Sequence, residues 1–144
     1  MIVIVCGGRK FTNGTYLFDQ MDRLHAEYHF TRVVEGGQRT FDRKTRKPIG
    51  GADFFAHEWA VLRGVLIHTE YARWRDLDAP GARIMTNGAG RRYDANAGKH
   101  RNQKMFDDWQ PGLVVGFSPS GSGTAHMLGI AKAAGVDVVE LRAP

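Results

Sequence analysis

Short apolar runs alternate with amphipathic stretches along this chain. Five runs rich in valine, isoleucine and leucine end at glycine or polar residues, a pattern typical of short strands buried in a parallel sheet. They occupy residues 2–5, 32–34, 65–68, 113–117 and 136–141. Over residues 15–28, apolar side chains recur at spacings of four, three and four, which predicts an amphipathic helix. These side chains are Leu17, Met21, Leu24 and Tyr28.

Three more helices are predicted, over residues 54–62, 96–109 and 124–134. Because strands and helices alternate, the sequence predicts an α/β fold, a Rossmann-like three-layer sandwich with a mostly parallel central sheet. Residues 1–144 are expected to form one domain, with loop insertions at about 38–49 and 75–95. Both insertions are candidate lids, since loops that follow the carboxyl ends of strands line the ligand crevice of such sheets.

Composition narrows the class of protein. Hydrophobic residues make up 42% of the chain and charged residues 24%, as in ordinary globular proteins. No apolar run approaches the roughly 20 residues of a membrane span, and residues 1–5 lack the basic lead of a signal peptide. The lone Cys6 excludes an internal disulfide and a cysteine-based metal cage. The expected location is therefore the cytoplasm.

The net charge of +5 attracts polyanions in general. The basic residues gather in two segments, 39–47 and 91–104, either as solvated loops or as binding surfaces. No metal site is predicted, because the six histidines are scattered and the one pair at helical spacing, His25 and His29, lacks the glutamate of a His-Glu-x-x-His motif. No cofactor is predicted either.

Glycines follow three of the predicted strands, at Gly7-Gly8, at Gly36-Gly37 and in the Ser120-Gly121-Ser122-Gly123-Thr124 segment. Glycine lets main-chain amides approach a ligand, and the free N–H groups of the helix that follows favour an anion. Each turn is either a tight strand-to-helix connection or part of a phosphate cradle, and three at one sheet edge favour the cradle. The third segment is neither a Gly-x-Gly-x-x-Gly fingerprint nor a Walker loop.

Other residues admit two interpretations each. Asp53, which follows Gly50-Gly51-Ala52, either caps the second helix or holds a ribose hydroxyl. Trp59 and Trp74 are either packing residues or, for Trp74, a surface on which a base stacks. His126 is either an exposed residue of the first helical turn or an acid for a leaving group.

Taken in order, several short motifs resemble the SLOG superfamily, specifically its YspA-like branch, over nearly the whole chain. They are Gly7-Gly8-Arg9, Gly36-Gly37, Gly51-Ala52-Asp53 with Trp59-Ala60, Trp74, Ala97-Gly98 with Arg101-Asn102 and Met105, and Pro119 to Thr124. The superfamily is Rossmann-like and related to the lonely-guy phosphoribohydrolases and their lysine-decarboxylase-like fold.

The resemblance implies binding of a nucleotide or nucleotide-derived ligand, such as a nucleoside phosphate or an ADP-ribose-type signal, by a sensor or sequestering protein. The alternative is an enzyme, an N-glycosidic-bond hydrolase or ribosyl-transferring enzyme acting on nucleoside monophosphates, with Asp53 and Arg101 as catalytic residues. Relatives of this kind also imply a homodimer. The expected ligand-binding residues are Gly7, Gly8, Arg9, Gly36, Gly37, Gly51, Asp53, Trp74, Arg101, Asn102, Ser120, Gly121, Ser122, Gly123 and Thr124.

Departures from the phosphoribohydrolase pattern disfavour catalysis more than phosphate binding. Those enzymes carry paired glutamates after the loop threonine, where this chain has Ala125, His126 and Met127. Asp53, Glu58 and Asp94 are the substitute carboxylates. A DNA-binding protein is a second alternative, based on the 91–104 segment, although aromatic residues are not interleaved with its charges. A nucleotide-type small molecule is the expected partner, with nucleic acid less favoured and no membrane partner predicted.

Overall fold

The fold is described from a computed structural model, which defines residues 1–118 and 121–144. This part of the chain contains one central sheet of five parallel strands. The strands are β1 (Ile2–Gly7), β2 (Arg32–Glu35), β5 (Leu66–Thr69), β8 (Leu113–Ser118) and β9 (Asp137–Arg142). Across the sheet their order is β5-β2-β1-β8-β9. All five strands predicted from the apolar runs are therefore confirmed to within a residue or two.

Four helices cover the two faces of the sheet. They are α1 (Gly14–Tyr28), α2 (Ala52–Arg63), α3 (Ala97–Trp109) and α4 (Ser122–Ala133). On one face, α1 and α2 pack against Val3, Val5 and Val115; on the other, α3 and α4 pack against Ile4 and Val114. Alternate residues of one strand thus enter opposite cores, as a sheet with two buried faces requires. The predicted α/β three-layer sandwich with a parallel central sheet is confirmed.

The two polar connections each contain a small antiparallel hairpin that the sequence analysis missed. The first pairs β3 (Thr40–Phe41) with β4 (Pro48–Gly50), and the second pairs β6 (Ile84–Thr86) with β7 (Arg92–Asp94). Strands of two or three residues are too short to show an alternation of apolar and polar positions. Within the described residues, no helix is long and apolar enough to cross a membrane.

Close packing at the carboxyl end of β1 requires glycine. A Cβ at Gly7 would lie 2.5 Å from the Cβ of Ala52 and 2.8 Å from the carbonyl oxygen of Phe117. Ala52 begins α2, and Phe117 belongs to β8. Gly7 therefore brings the start of α2 and the end of β8 close to the same point of the sheet, which also brings their following turns together.

Candidate functional site

A cleft of about 550 Å³ opens at the carboxyl edge of the sheet. From β1 the chain continues to β2, which is the neighbour of β1 on one side within the sheet, whereas β8 is its neighbour on the other side. The strand order therefore changes direction between β1 and β8, which makes this the topological switch point of the sheet. The cleft lies here, between the turns that follow β1, β2 and β8 and the inner side of α3. Ligands of open α/β sheets bind at this position.

Most of the residues expected to bind a ligand line this cleft. They are Gly7, Gly8, Arg9, Gly36, Asp53, Trp74, Arg101, Asn102, Gly121, Ser122, Gly123 and Thr124. Gly37 and Gly51 are not among the described lining residues. Both have a positive φ angle, +76° and +106°, which favours glycine for backbone reasons alone. Ser120 lies outside the described residues.

The first turn of α4 forms one wall of the cleft. The first intrahelical hydrogen bond runs from the Ala125 N–H to the Gly121 carbonyl at 3.3 Å. The N–H groups of Ser122, Gly123 and Thr124 therefore have no acceptor among the described residues, and no side chain caps this helix. Free amides at the positive end of a twelve-residue helix favour an anion in the cleft.

Arg101, on α3, places a buried cation beside this turn. Its side chain is held from two sides, because Nε donates to Asn102 Oδ1 at 2.9 Å and Nη1 donates to the carbonyl oxygen of Gly36. Nη2 has no hydrogen-bond acceptor within the described chain. Although Arg101 is only 8% exposed, it lines the cleft, so its guanidinium is placed to meet a ligand there.

Asn102 connects Arg101 to α4. Its side-chain amide donates to the Gly123 carbonyl at 3.0 Å, and the same amide nitrogen lies 3.3 Å from His126 Nδ1. The Arg101 guanidinium and the first turn of α4 are therefore fixed relative to each other before any ligand arrives. Such preorganisation lowers the entropy lost on binding.

Two carboxylates lie beneath the cleft on the other side of Gly36. A Cβ on Gly36 would lie 2.6 Å from Arg101 Nη1 and 3.2 Å from Asp53 Oδ2, so only glycine fits between these groups. Asp53 Oδ2 accepts a hydrogen bond from the Gln38 N–H at 3.0 Å. The Asp53 side chain makes no capping hydrogen bond to its own helix, so the interpretation of Asp53 as a helix cap is wrong.

Glu35, at the end of β2, is fully buried and its charge is compensated. Arg39 donates to both carboxylate oxygens, at 2.9 and 3.2 Å. The Gly37 N–H and the Thr69 hydroxyl donate to the same carboxylate at 2.9 and 2.8 Å. The sequence analysis missed the pair of Glu35 and Arg39. A signal for it was present, because Glu35 ends a buried strand and directly precedes Gly36-Gly37.

Burial, and secondly the charge of Glu35, raises the pKa of Asp53 to about 7. The folded protein then holds a proton that the unfolded chain releases near pH 4, so the free energy of unfolding is expected to fall as the pH rises from about 4 to about 7. Asp53→Asn should remove this part of the pH dependence in urea unfolding. The exposed Asp137→Asn should leave it unchanged, and a slope that persists in Asp53→Asn would place the proton elsewhere.

Of the remaining aromatic and acidic candidates, only Trp74 lines the cleft. Trp59 is fully buried and donates to Asp22 at 2.8 Å, so it is a packing residue. Trp74 is 39% exposed, packs over Gly98 and forms part of the cleft wall. Asp94 accepts from the N–H groups of Arg83 and Asn96, and Glu58 lies in a different groove, away from the cleft.

The cleft has further lining residues that were not among the expected ligand-binding residues. They are Val5, Cys6, Lys10, Gln38, Ala95, Gly98, Lys99 and Met105. Burial raises the pKa of the Cys6 thiol, which also donates to the Val115 carbonyl at 3.6 Å, so this cysteine is not a thiolate nucleophile at neutral pH. Within the described residues, no group of three or more possible metal ligands is present.

Comparison with known proteins gives a structural similarity but no family match. No protein-family model matches the chain, and no curated protein matches it. Among solved structures, the chain is similar to a protein from the universal stress protein family from Burkholderia pseudomallei. The superposition covers 98% of this chain and 96% of that chain, with a TM-score of 0.45 and 16% sequence identity.

The assignment to the SLOG superfamily and its YspA-like branch is wrong. No family model matches the chain, and the similar structure from Burkholderia pseudomallei carries the name of a different family. Several of the motifs that suggested the assignment are short glycine turns, and the packing around Gly7 and Gly36 shows that close approach of neighbouring atoms is enough to require glycine at these two positions.

The functions that this resemblance implied are wrong as well, namely nucleotide sensing or sequestration and hydrolysis or transfer at an N-glycosidic bond. The DNA-binding alternative, which was based on the basic segment 91–104, is also wrong. The structure also shows why the 91–104 segment is not a continuous basic strip. Arg101 is buried beneath the cleft, and Lys104 pairs with Glu70 and Asp108.

Proposed function

We propose that the cleft binds a small phosphorylated molecule. The observation that carries this proposal is the position of Arg101: a side chain more than nine-tenths buried lines the cleft beside three amides of α4 that have no acceptor among the described residues. A buried cation without a full set of acceptors is costly unless an anion completes them. Phosphate suits the site because its oxygens can accept from the guanidinium and the amides at once.

The other lining residues would then position the rest of the ligand. Arg9 and Lys99, both exposed at the rim, add positive charge that attracts the ligand. Asp53 lies on the far side of Gly36 from Arg101, where a hydroxyl group of the ligand would meet a carboxyl oxygen. A volume of about 550 Å³ accommodates a small metabolite and falls within the usual range of ligand pockets.

A panel of matched ligands tests the proposal by thermal unfolding and calorimetry. Glycerol 3-phosphate and ribose 5-phosphate should stabilise the protein, by about 2.7 kcal/mol at a hundredfold excess over the dissociation constant. Glycerol and ribose, which lack the phosphate, should not. Equal effects of the charged and uncharged compounds, or effects reproduced by sodium chloride at the same ionic strength, would exclude the proposed site.

Trp74 is proposed to cover one side of the ligand. In Trp74→Ala, phenyl phosphate should bind about tenfold more weakly, which corresponds to 1.4 kcal/mol, because its ring loses a stacking surface. Glycerol 3-phosphate has no ring, so its affinity should change little. The melting temperature should also stay nearly unchanged, since Trp74 is partly exposed. A parallel loss of stability and of affinity for both ligands would assign Trp74 to packing.

The partners in this proposal are the phosphorylated small molecule and a second copy of the chain. A homodimer predicts a mass in solution of twice 16.0 kDa, which light scattering measures directly. Adenosine monophosphate belongs in the ligand panel, because its affinity relative to ribose 5-phosphate measures what a base contributes.

A further inference from the structure

A basic hairpin projects from the carboxyl edge of the sheet. It comprises residues 40–50, with β3 and β4 as its two short strands. Asp42 Oδ1 accepts the N–H groups of Lys44 and Thr45, at 2.9 and 2.8 Å, which defines the shape of the tip. Four exposed cations follow Asp42, and none of them forms an ion pair with a described residue. They are Arg43, Lys44, Arg46 and Lys47.

The basic hairpin also exposes large apolar side chains. Phe41 is 55% exposed and Ile49 is 54% exposed, on either side of the charged tip. Exposed apolar side chains grouped with unpaired charges mark interaction surfaces. A partner for this hairpin must therefore offer an apolar recess together with negative charge.

The chain itself carries such a surface, the α1–α2 groove. This recess of about 630 Å³ is lined mainly by apolar side chains, together with two exposed carboxylates and with Arg63, whose charge is paired with Asp22. Its principal residues are Phe18, Phe54, Phe55, Leu62, Asp19 and Glu58. Leu62 is 65% exposed, so the groove is not closed. Within the described residues, Asp19 and Glu58 have no ion-pair partner, whereas the nearby Asp22 pairs with Arg63 at 2.8 Å.

The two surfaces adjoin each other. Gly50, the last residue of the basic hairpin, is separated from α2 by Gly51 alone, and the Gly51 N–H donates to the Phe11 carbonyl at 2.8 Å. The first turn of α2 carries Phe54 and Phe55, which line the groove. The hairpin does not cover its own groove, because its apolar side chains remain exposed.

We propose that the chain forms a two-fold dimer in which the basic hairpin of each protomer fills the α1–α2 groove of its partner. A two-fold axis between adjoining, complementary surfaces makes the same contact twice, as isologous dimers do. The apolar side chains of the hairpin enter the aromatic recess, and its cations meet the two unpaired carboxylates. This inference rests on the homodimer proposed above and names the surfaces that form it; none of the residues named for the contact lines the ligand cleft.

Reciprocal charge reversal tests the pairing. A hairpin variant, Lys44→Glu with Lys47→Glu, and a groove variant, Asp19→Lys with Glu58→Lys, should each dissociate at least tenfold more readily than the wild type in sedimentation velocity. Mixed together, the two variants should form a heterodimer, because each acidic hairpin then meets a basic groove and each basic hairpin an acidic groove. Lys132→Glu, which reverses an exposed charge near Glu140, is the matched control and should leave the dimer intact.

A second pair of variants keeps the test decisive if charge reversal disturbs folding. Phe41→Ser should weaken the dimer, whereas Met85→Ser, on the other hairpin, should not. A wild-type protein that stays monomeric at all concentrations overturns the proposal, as does a mixture that fails to form heterodimers. Binding of the monomeric wild type to anionic vesicles or to an acidic peptide would assign the basic hairpin to a different partner. Titration of the cleft with glycerol 3-phosphate is unaffected by any of these outcomes.

Discussion

Arg39→Met is expected to lower the free energy of unfolding by about 3 kcal/mol or more. The substitution keeps most of the apolar stem but removes both hydrogen bonds that Arg39 makes to Glu35. Glu35 is completely buried, and Asp53 lies close enough for the two carboxyl groups to influence each other. An uncompensated charge at this position costs more than an exposed ion pair contributes. Urea unfolding at neutral pH measures the difference.

Two further variants show whether the loss comes from the buried charge. Arg63→Met removes an ion pair of which both members are partly exposed, and it should cost less than 1 kcal/mol. Glu35→Gln combined with Arg39→Met should recover much of the stability, because residue 35 then carries no uncompensated buried charge. A small, equal effect of Arg39→Met and Arg63→Met would contradict the structural role given to Glu35 and Arg39.

Arg101→Met is expected to weaken the binding of glycerol 3-phosphate by about a hundredfold, since losing one member of a buried charge pair typically costs 2–5 kcal/mol. The exposed Arg9→Met should reduce the affinity only a few-fold and more at low salt. Calorimetry measures both affinities, and circular dichroism shows whether each variant is folded.

Arg101→Lys separates charge from geometry. Lysine keeps the positive charge but cannot reproduce the planar set of donors that reaches Gly36, Asn102 and the cleft. The affinity of the Arg101→Lys variant for glycerol 3-phosphate should lie between those of the wild type and Arg101→Met. Unchanged affinity in Arg101→Met would show that the anion binds somewhere other than beside this guanidinium.

The layered fold could be predicted from sequence because its signals are local. The runs at residues 2–5 and 113–117 are apolar on both strand faces, since helices cover both sides of the sheet. The position of the cleft could be predicted by the same reasoning, because parallel strands bring their carboxyl ends to one edge of the sheet and glycines follow three of these ends. The two antiparallel hairpins were missed, since two- or three-residue strands carry no periodic pattern.

The chemistry of the site depends on contacts that sequence spacing does not show. Arg39 lies in a basic segment, yet its side chain turns back to Glu35 instead of facing solvent. Arg101 lies in a second basic segment and is buried for a similar reason, as the carbonyl of Gly36 and the side chain of Asn102 hold it. The family assignment failed because it depended on short motifs, and some of them, such as the glycines at positions 7 and 36, are explained by close packing alone.

The central claim is that an anion binds where the first turn of α4 meets Arg101. A titration of ¹⁵N-labelled protein with glycerol 3-phosphate, followed by ¹H–¹⁵N spectra, tests it most directly. The amide signals of Ser122, Gly123 and Thr124 should shift together with the side-chain Nε–H of Arg101 and saturate with a single dissociation constant. Shifts confined to residues 43–47 of the basic hairpin, or none at all near α4, would contradict the claim.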